Sequence, residues 1–152
     1  MPIRDATLRD AFFITELDES EFNRYAGPNA LTPLRLMTEP NTFTLIYAHD
    51  DLEDLQLGFA IVQWKNGGSY IPDIAVAPTQ RHRGIGKILL EASETKILEM
   101  AKRPHLIGLH VGLHNALGRQ FFADQGFKYF QPFVPRFYAN GEPALWMVKT
   151  IG

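Results

Sequence analysis

The stretch Arg81-His82-Arg83-Gly84-Ile85-Gly86-Lys87 places two glycines one residue apart among basic side chains, directly before a long apolar helical pattern. That arrangement suits anion binding, because the start of a helix offers free N–H groups and the positive end of its dipole. Gly84 and Gly86 lack Cβ atoms, so a pyrophosphate could approach the backbone closely, and Arg81, Arg83 and Lys87 add charge. Neither common nucleotide motif fits. A dinucleotide fingerprint needs a third glycine where Leu89 stands. A phosphate-binding loop needs Ser or Thr directly after the lysine, where Ile88 stands. A tight strand-to-helix turn with solvated basic residues stays open as the alternative. His110 and His114 suggest a metal pair, but four residues of strand span ~13 Å, too far for one ion. The chain has no cysteine, so disulfides, thiolate metal sites and a cysteine nucleophile are excluded, and no metal is expected.

The elements around the loop read in order along the chain. Pro2 to Ala6 suit a short strand, and Thr7 suits an N-cap before a helix whose stripe is Leu8, Ala11, Phe12, Ile14 and Leu17. Residues 21–40 carry three prolines and a glycine and read as irregular or short helix. Thr42 to Asp50 and Leu55 to Lys65 read as strands joined by DDLED; a turn at Asn66-Gly67-Gly68 leads into SYIPDIAVA. The helix after the glycine loop puts Ile85, Ile88, Leu89, Ala92, Ile97 and Met100 on one side, and Pro104 should end it. A buried-type strand (LIGLHV), a second helix closed by Gly126 and two final strands around ANGE complete the order. The fold class is therefore α/β, with an antiparallel start passing into a parallel helical crossover.

Bulk properties narrow the partners. The 152 residues make a single domain, 1–152, with 45% apolar and 21% charged content, as in soluble globular proteins. A formal net charge of −2 disfavours nonspecific nucleic-acid binding. No apolar run approaches the ~20 residues of a membrane span, and a cytoplasmic location is expected.

VAPTQRHRGIG followed by an amphipathic helix resembles the acetyl-coenzyme A signature of the GCN5-related N-acetyltransferase (GNAT) family, with Arg81, Gly84 and Gly86 on its fixed positions. LIGLHV, Asn115 and FFADQG ending at Gly126-Phe127 resemble the second family segment, and IRDATLRD the usual start. The resemblance implies a mixed, mostly antiparallel sheet, flanked by helices, whose central parallel pair splays around the cofactor. It also implies acetyl-coenzyme A as co-substrate. Backbone N–H groups from Arg81, His82, Arg83, Gly84, Ile85, Gly86 and Lys87 would hold the pyrophosphate. The strand edge at Ile74, Ala75 and Val76 would pair with the pantetheine arm, and an N–H near Val76 would polarise the thioester carbonyl. Asn115 would hydrogen-bond the pantetheine or shape the site; it reads equally as a helix N-cap.

In many family members a tyrosine seven residues past the asparagine protonates the leaving thiolate. Here it is Phe122, which can only pack against the pantetheine or acetyl group, so another group, water or unassisted departure takes that role. Polyamine and aminosugar members often carry Glu-Asp at Pro72-Asp73; the glutamate is absent, and strand alternation turns Asp73 to the other face, toward core-edge hydrogen bonding. Tyr70 and His110 resemble the catalytic tyrosine and histidine of a protein Nα-acetyltransferase branch, and Phe137 and Tyr138 resemble that branch's peptide-holding aromatic pair. A neutral imidazole accepts a proton near pH 7, so tyrosine and histidine together make a workable base relay. The alternatives are a strand aromatic with a wet hydroxyl and a satisfied core histidine. The expected activity is direct acetyl transfer to a primary amine, such as a peptide N-terminus, by a monomer or homodimer. A small-molecule acceptor and a non-catalytic coenzyme A-binding module are the alternatives.

Overall fold

Strand periodicity, turn residues and two amphipathic helices build one seven-stranded sheet in the order β1-β2-β3-β4-β5-β7-β6. The computed structural model describes residues 2–22, 33–49, 55–65, 67–81, 83–101, 105–138 and 141–152. The expected turns at 50–54 and Asn66, the helix stop at Pro104, and His82 of the glycine loop lie outside the described residues. The strands are β1 (Ile3–Asp5), β2 (Thr42–His49), β3 (Leu55–Gln63), β4 (Gly68–Val76), β5 (His105–Gly112), β6 (Lys128–Val134) and β7 (Ala144–Ile151). The helices are α1 (Ala11–Phe22), α2 (Pro33–Thr38), α3 (Ile85–Ala101) and α4 (Ala116–Asp124). Every pairing is antiparallel except β4 with β5, which the α3 crossover makes parallel.

The sheet is covered on both faces. On one, Ile85 and Leu89 of α3 pack on Leu45, Leu57 and Ala60, while Leu90 and Ile97 join Ile71, Ile107, Leu109, Met147 and, from α4, Phe122. On the other, Ile14, Leu17 and Leu36 of α1 and α2 bury Ile46, Phe59, Ile61 and Ala75. The chain after Thr7 departs from the expected stripe. A 3-10 turn (Leu8–Asp10) precedes α1, and Leu8 and Phe12 stay exposed. The cause is Asp10, which is buried and receives Arg4 at 2.7 and 2.8 Å, the Thr7 N–H at 2.7 Å and Gln56 at 2.8 Å. Burial alone would raise this carboxyl's pKa; those four hydrogen bonds hold it well below the usual range.

The parallel pair is short. It registers Gly68 with Leu106, Ser69 with Ile107 and Tyr70 with Gly108, and then stops, although both strands run on. Sequence explains the break. β4 pairs with β3 at Gln63↔Tyr70 and Ile61↔Asp73, so one extra residue sits in β4 around Ile71 and Pro72. A proline has no N–H to continue a ladder, and inside a sheet it is confined to such bulges.

Candidate active site

Two regions meet at the point where β4 and β5 part. The first is the head of α3. Gly84 has φ of +78°, a left-handed conformation that a Cβ would strain, and open space lies beside it. Among the described residues Ile88 is the first of the helix whose N–H finds an i−4 carbonyl, that of Gly84 at 3.0 Å, so the N–H groups of Ile85 and Lys87 project from the helix start. Gly86 has a different reason to be glycine. A Cβ there would meet the Phe121 ring of α4 at 3.2 Å, so this glycine lets the two helices approach. Arg81, Arg83 and Lys87 are all exposed. The run of β4 beyond its pairing with β5 contains Ile74 and Val76, both half-buried, and the buried Ala75; one edge is engaged with β3, and the edge toward β5 has no partner strand among the described residues.

Asn115 caps α4, its Oδ1 accepting the Gly118 N–H at 3.0 Å. Its Nδ2 makes no hydrogen bond among the described residues. Phe122 is 8% exposed and sits edge-to-face against Phe121 and Phe127 in the core, which leaves it little surface to offer a coenzyme. A strand edge without a partner, a helix start with free N–H groups and a glycine opening together fit a long, phosphate-bearing, amide-rich molecule such as acetyl-coenzyme A.

The second region lies on the opposite face. Tyr70 and His110, forty residues apart in sequence, come together with Oη 2.7 Å from Nδ1. Burial pushes the Tyr70 phenol up to about 12 and pulls the His110 imidazole down from its usual 6.5. The phenol therefore keeps its proton and donates it to Nδ1 of a neutral ring, which leaves the ring hydrogen on Nε2. Phe137 stacks on His110 with centroids 4.3 Å apart and planes 25° apart. Tyr138 abuts Phe137 edge-on at 4.9 Å. The hairpin carrying both is fixed by the Tyr138 N–H to Glu142 carbonyl bond, and the Glu142 carboxylate accepts the His114 N–H at 3.2 Å.

Trp146 was not singled out in the sequence, yet it completes the cluster. It sits opposite His110 in the β5–β7 register, stacks on Tyr70 at 5.9 Å and 18°, and lies 4.8 Å from His110. The signal available was Gly108, two residues before His110, where an added Cβ would run into the Trp146 ring.

Alternation misplaces Asp73. The bulge turns it onto the face that Tyr70 occupies, since cross-strand partners Gln63 and Ile61 share that face. It is buried, and burial followed by a hydrogen bond and repulsion from Asp18 of α1 raises its pKa well above 3.8. A cleft on α1 is lined by Phe13, Glu16, Leu17 and Ser20. Among the described residues no cluster of three His, Cys, Asp or Glu side chains could hold a metal ion, and no helix is long and apolar enough to cross a membrane.

The same architecture occurs in solved structures. Ard1 from Thermoplasma volcanium superposes with a TM-score of 0.84 at 19% identity, over 99% of this chain and 97% of that one. The ribosomal-protein-S18-alanine N-acetyltransferase from Escherichia coli gives 0.77 at 18% identity, over 99% and 93%. An aminoglycoside 6'-N-acetyltransferase complexed with coenzyme A gives 0.75 at 16% identity, over 99% and 97%. Among curated proteins none matches this sequence significantly. Residues 41–129, more than half of the chain, match the family described as the acetyltransferase (GNAT) domain.

Proposed function

Because this chain belongs to the GNAT acetyltransferase family and is thereby an N-acetyltransferase, we propose that its single domain acetylates the N-terminal amine of a peptide or protein. In this reading Tyr70 and His110 are the proton-accepting unit. The observation that carries it is the 2.7 Å contact between Tyr70 Oη and His110 Nδ1 at the place where β4 and β5 separate.

Acetyl-coenzyme A, when bound, supplies the acetyl group as a thioester. The N–H groups at the head of α3 and residues 81–87 hold the phosphates, the edge at 74–76 holds the amide arm, and an N–H near Val76 polarises the thioester carbonyl. Asn115 donates from Nδ2 toward the same arm. Tyr70 Oη takes a proton from the acceptor amine, directly or through water, as its own proton passes to His110 Nδ1. The product is an imidazolium, whose charge is faced by the Phe137 and Trp146 rings. The amine nitrogen gains a bond to the acetyl carbon as the carbon–sulfur bond breaks. Phe122 has no hydroxyl, so the thiolate leaves unassisted or with a proton from water. Phe137 and Tyr138 hold the acceptor chain beyond its amine.

A panel of peptides with free N-termini, polyamines and aminosugars, each incubated with acetyl-coenzyme A, tests the acceptor by release of free thiol. Turnover on peptides above the blank supports the reading. Turnover confined to polyamines or aminosugars overturns the peptide acceptor and points to the acidic pair Asp18 and Asp73 as the subsite of a cationic small molecule.

A further inference from the structure

Resting on the relay assigned to Tyr70 and His110, we infer that Trp146 is a positioning residue for that relay, a wedge that fixes both partners from the far side of β5. Three observations carry this. The indole reaches across β5 from β7 to stack on a β4 side chain, and only the missing Cβ of Gly108 gives it passage. Gly108 is also the residue paired with Tyr70 at the last rung of the parallel ladder, so the wedge sits where the strands begin to diverge. Finally, His110 lies between two rings, Phe137 at 4.3 Å and Trp146 at 4.8 Å.

The physical consequence follows from the splay. Beyond Tyr70 the register of β4 with β5 ends, so the distance between their side chains is no longer set by the ladder. Side-chain packing must set it, and Trp146 contacts both residues at once. A stacked ring restricts the Tyr70 rotamer, and an indole 4.8 Å from the imidazole adds to its burial. A displacement of ~1 Å at reacting groups can cost ~10²-fold in rate, so loss of the wedge is expected to act on turnover.

Steady-state kinetics with acetyl-coenzyme A and the acceptor peptide, normalised to folded protein by a thermal melt, test the inference. Trp146→Leu should lower kcat by ~10–100-fold with little change in KM for acetyl-coenzyme A. Trp146→Phe should restore part of the rate, because a stacking ring returns. Gly108→Ala, which keeps the indole but unseats it, should move kcat in the same direction. In a Tyr70→Phe background, Trp146→Leu should cost little more, since it acts through the relay. A readout without turnover accompanies these: the His110 ring, titrated by NMR in the protein alone, should shift up toward ~6.5 when Trp146 no longer shields it. Full kcat and an unshifted His110 titration in Trp146→Leu, beside a crippled Tyr70→Phe, would overturn the inference alone. Full activity in Tyr70→Phe would overturn the relay itself, and this inference with it.

Discussion

The head of α3 and the aromatic cluster across the sheet divide the proposed chemistry by the kind of group each presents. The loop offers backbone: exposed residues, a left-handed glycine, and N–H groups projecting from a helix start. The cluster offers side chains whose neighbours come from β4, β5, β7 and the β6–β7 hairpin. A backbone site can be written in a few consecutive residues, since glycine spacing dictates the local conformation. A side-chain site is assembled from segments that only the sheet brings together. The two regions should therefore fail separately when mutated.

The largest effects should come from the cluster. Tyr70→Phe and His110→Ala should each lower kcat/KM by ~10²-fold while coenzyme binding stays unchanged, and the double variant should be scarcely worse than the worse single. Kinetics beside calorimetric binding of acetyl-coenzyme A read both quantities. Coupled loss of binding would erase the separation of the two regions.

The loop should lose binding rather than chemistry. Gly84→Val has space for its side chain but a strained φ, and should weaken acetyl-coenzyme A at least tenfold, ~1.4 kcal/mol. Gly86→Val should do the same by another route, pressing on Phe121, so Phe121→Ala should recover part of the binding in that variant alone. Equal dissociation constants for wild type and Gly84→Val by calorimetry would remove the phosphate-cradle reading.

A smaller effect is a displaced acid limb. His110 must be neutral to accept a proton, and burial lowers its pKa, so kcat/KM should hold as pH falls past 6.5 and decline only below it. Tyr70, pushed up to about 12, should contribute no basic limb below pH 10. The same burial makes protonated His110 unfavourable in the fold, so stability should be lost as pH falls from 6.5 through the lowered value. A pH–rate profile with its acid limb at or above 6.5 would contradict this.

The smallest effect concerns the acidic pair. Asp73 has a raised folded pKa, so its stabilising contribution is full below 3.8 and is lost as pH rises through the raised value. Asp73→Asn keeps a hydrogen-bonding group and removes the charge. It should raise Tm at pH 8 by ~2–4 °C, and the gain should vanish toward pH 4. A variant less stable than wild type at pH 8 would mean that the ionised pair is compensated.

Sequence alone determined the order of elements, the strand-to-helix turn and the crossover, because periodicity, glycine, proline and turn residues act over neighbouring positions. It also carried, by resemblance, the fold and the pairing of Tyr70 with His110. It misread the first helical stripe, since Asp10 is buried by Arg4 and Gln56, and Gln56 lies 46 residues from it. It read Pro72 only as a missing glutamate. In the sheet Pro72 lies at the bulge that turns Asp73 and at the end of the parallel pairing. Trp146, marked in the sequence by Gly108 alone, and the second reason for Gly86 came from the tertiary structure. The physical reason is common to all of these. Register shifts and ring contacts depend on which strands lie side by side, and that adjacency is fixed by packing between residues far apart in the chain.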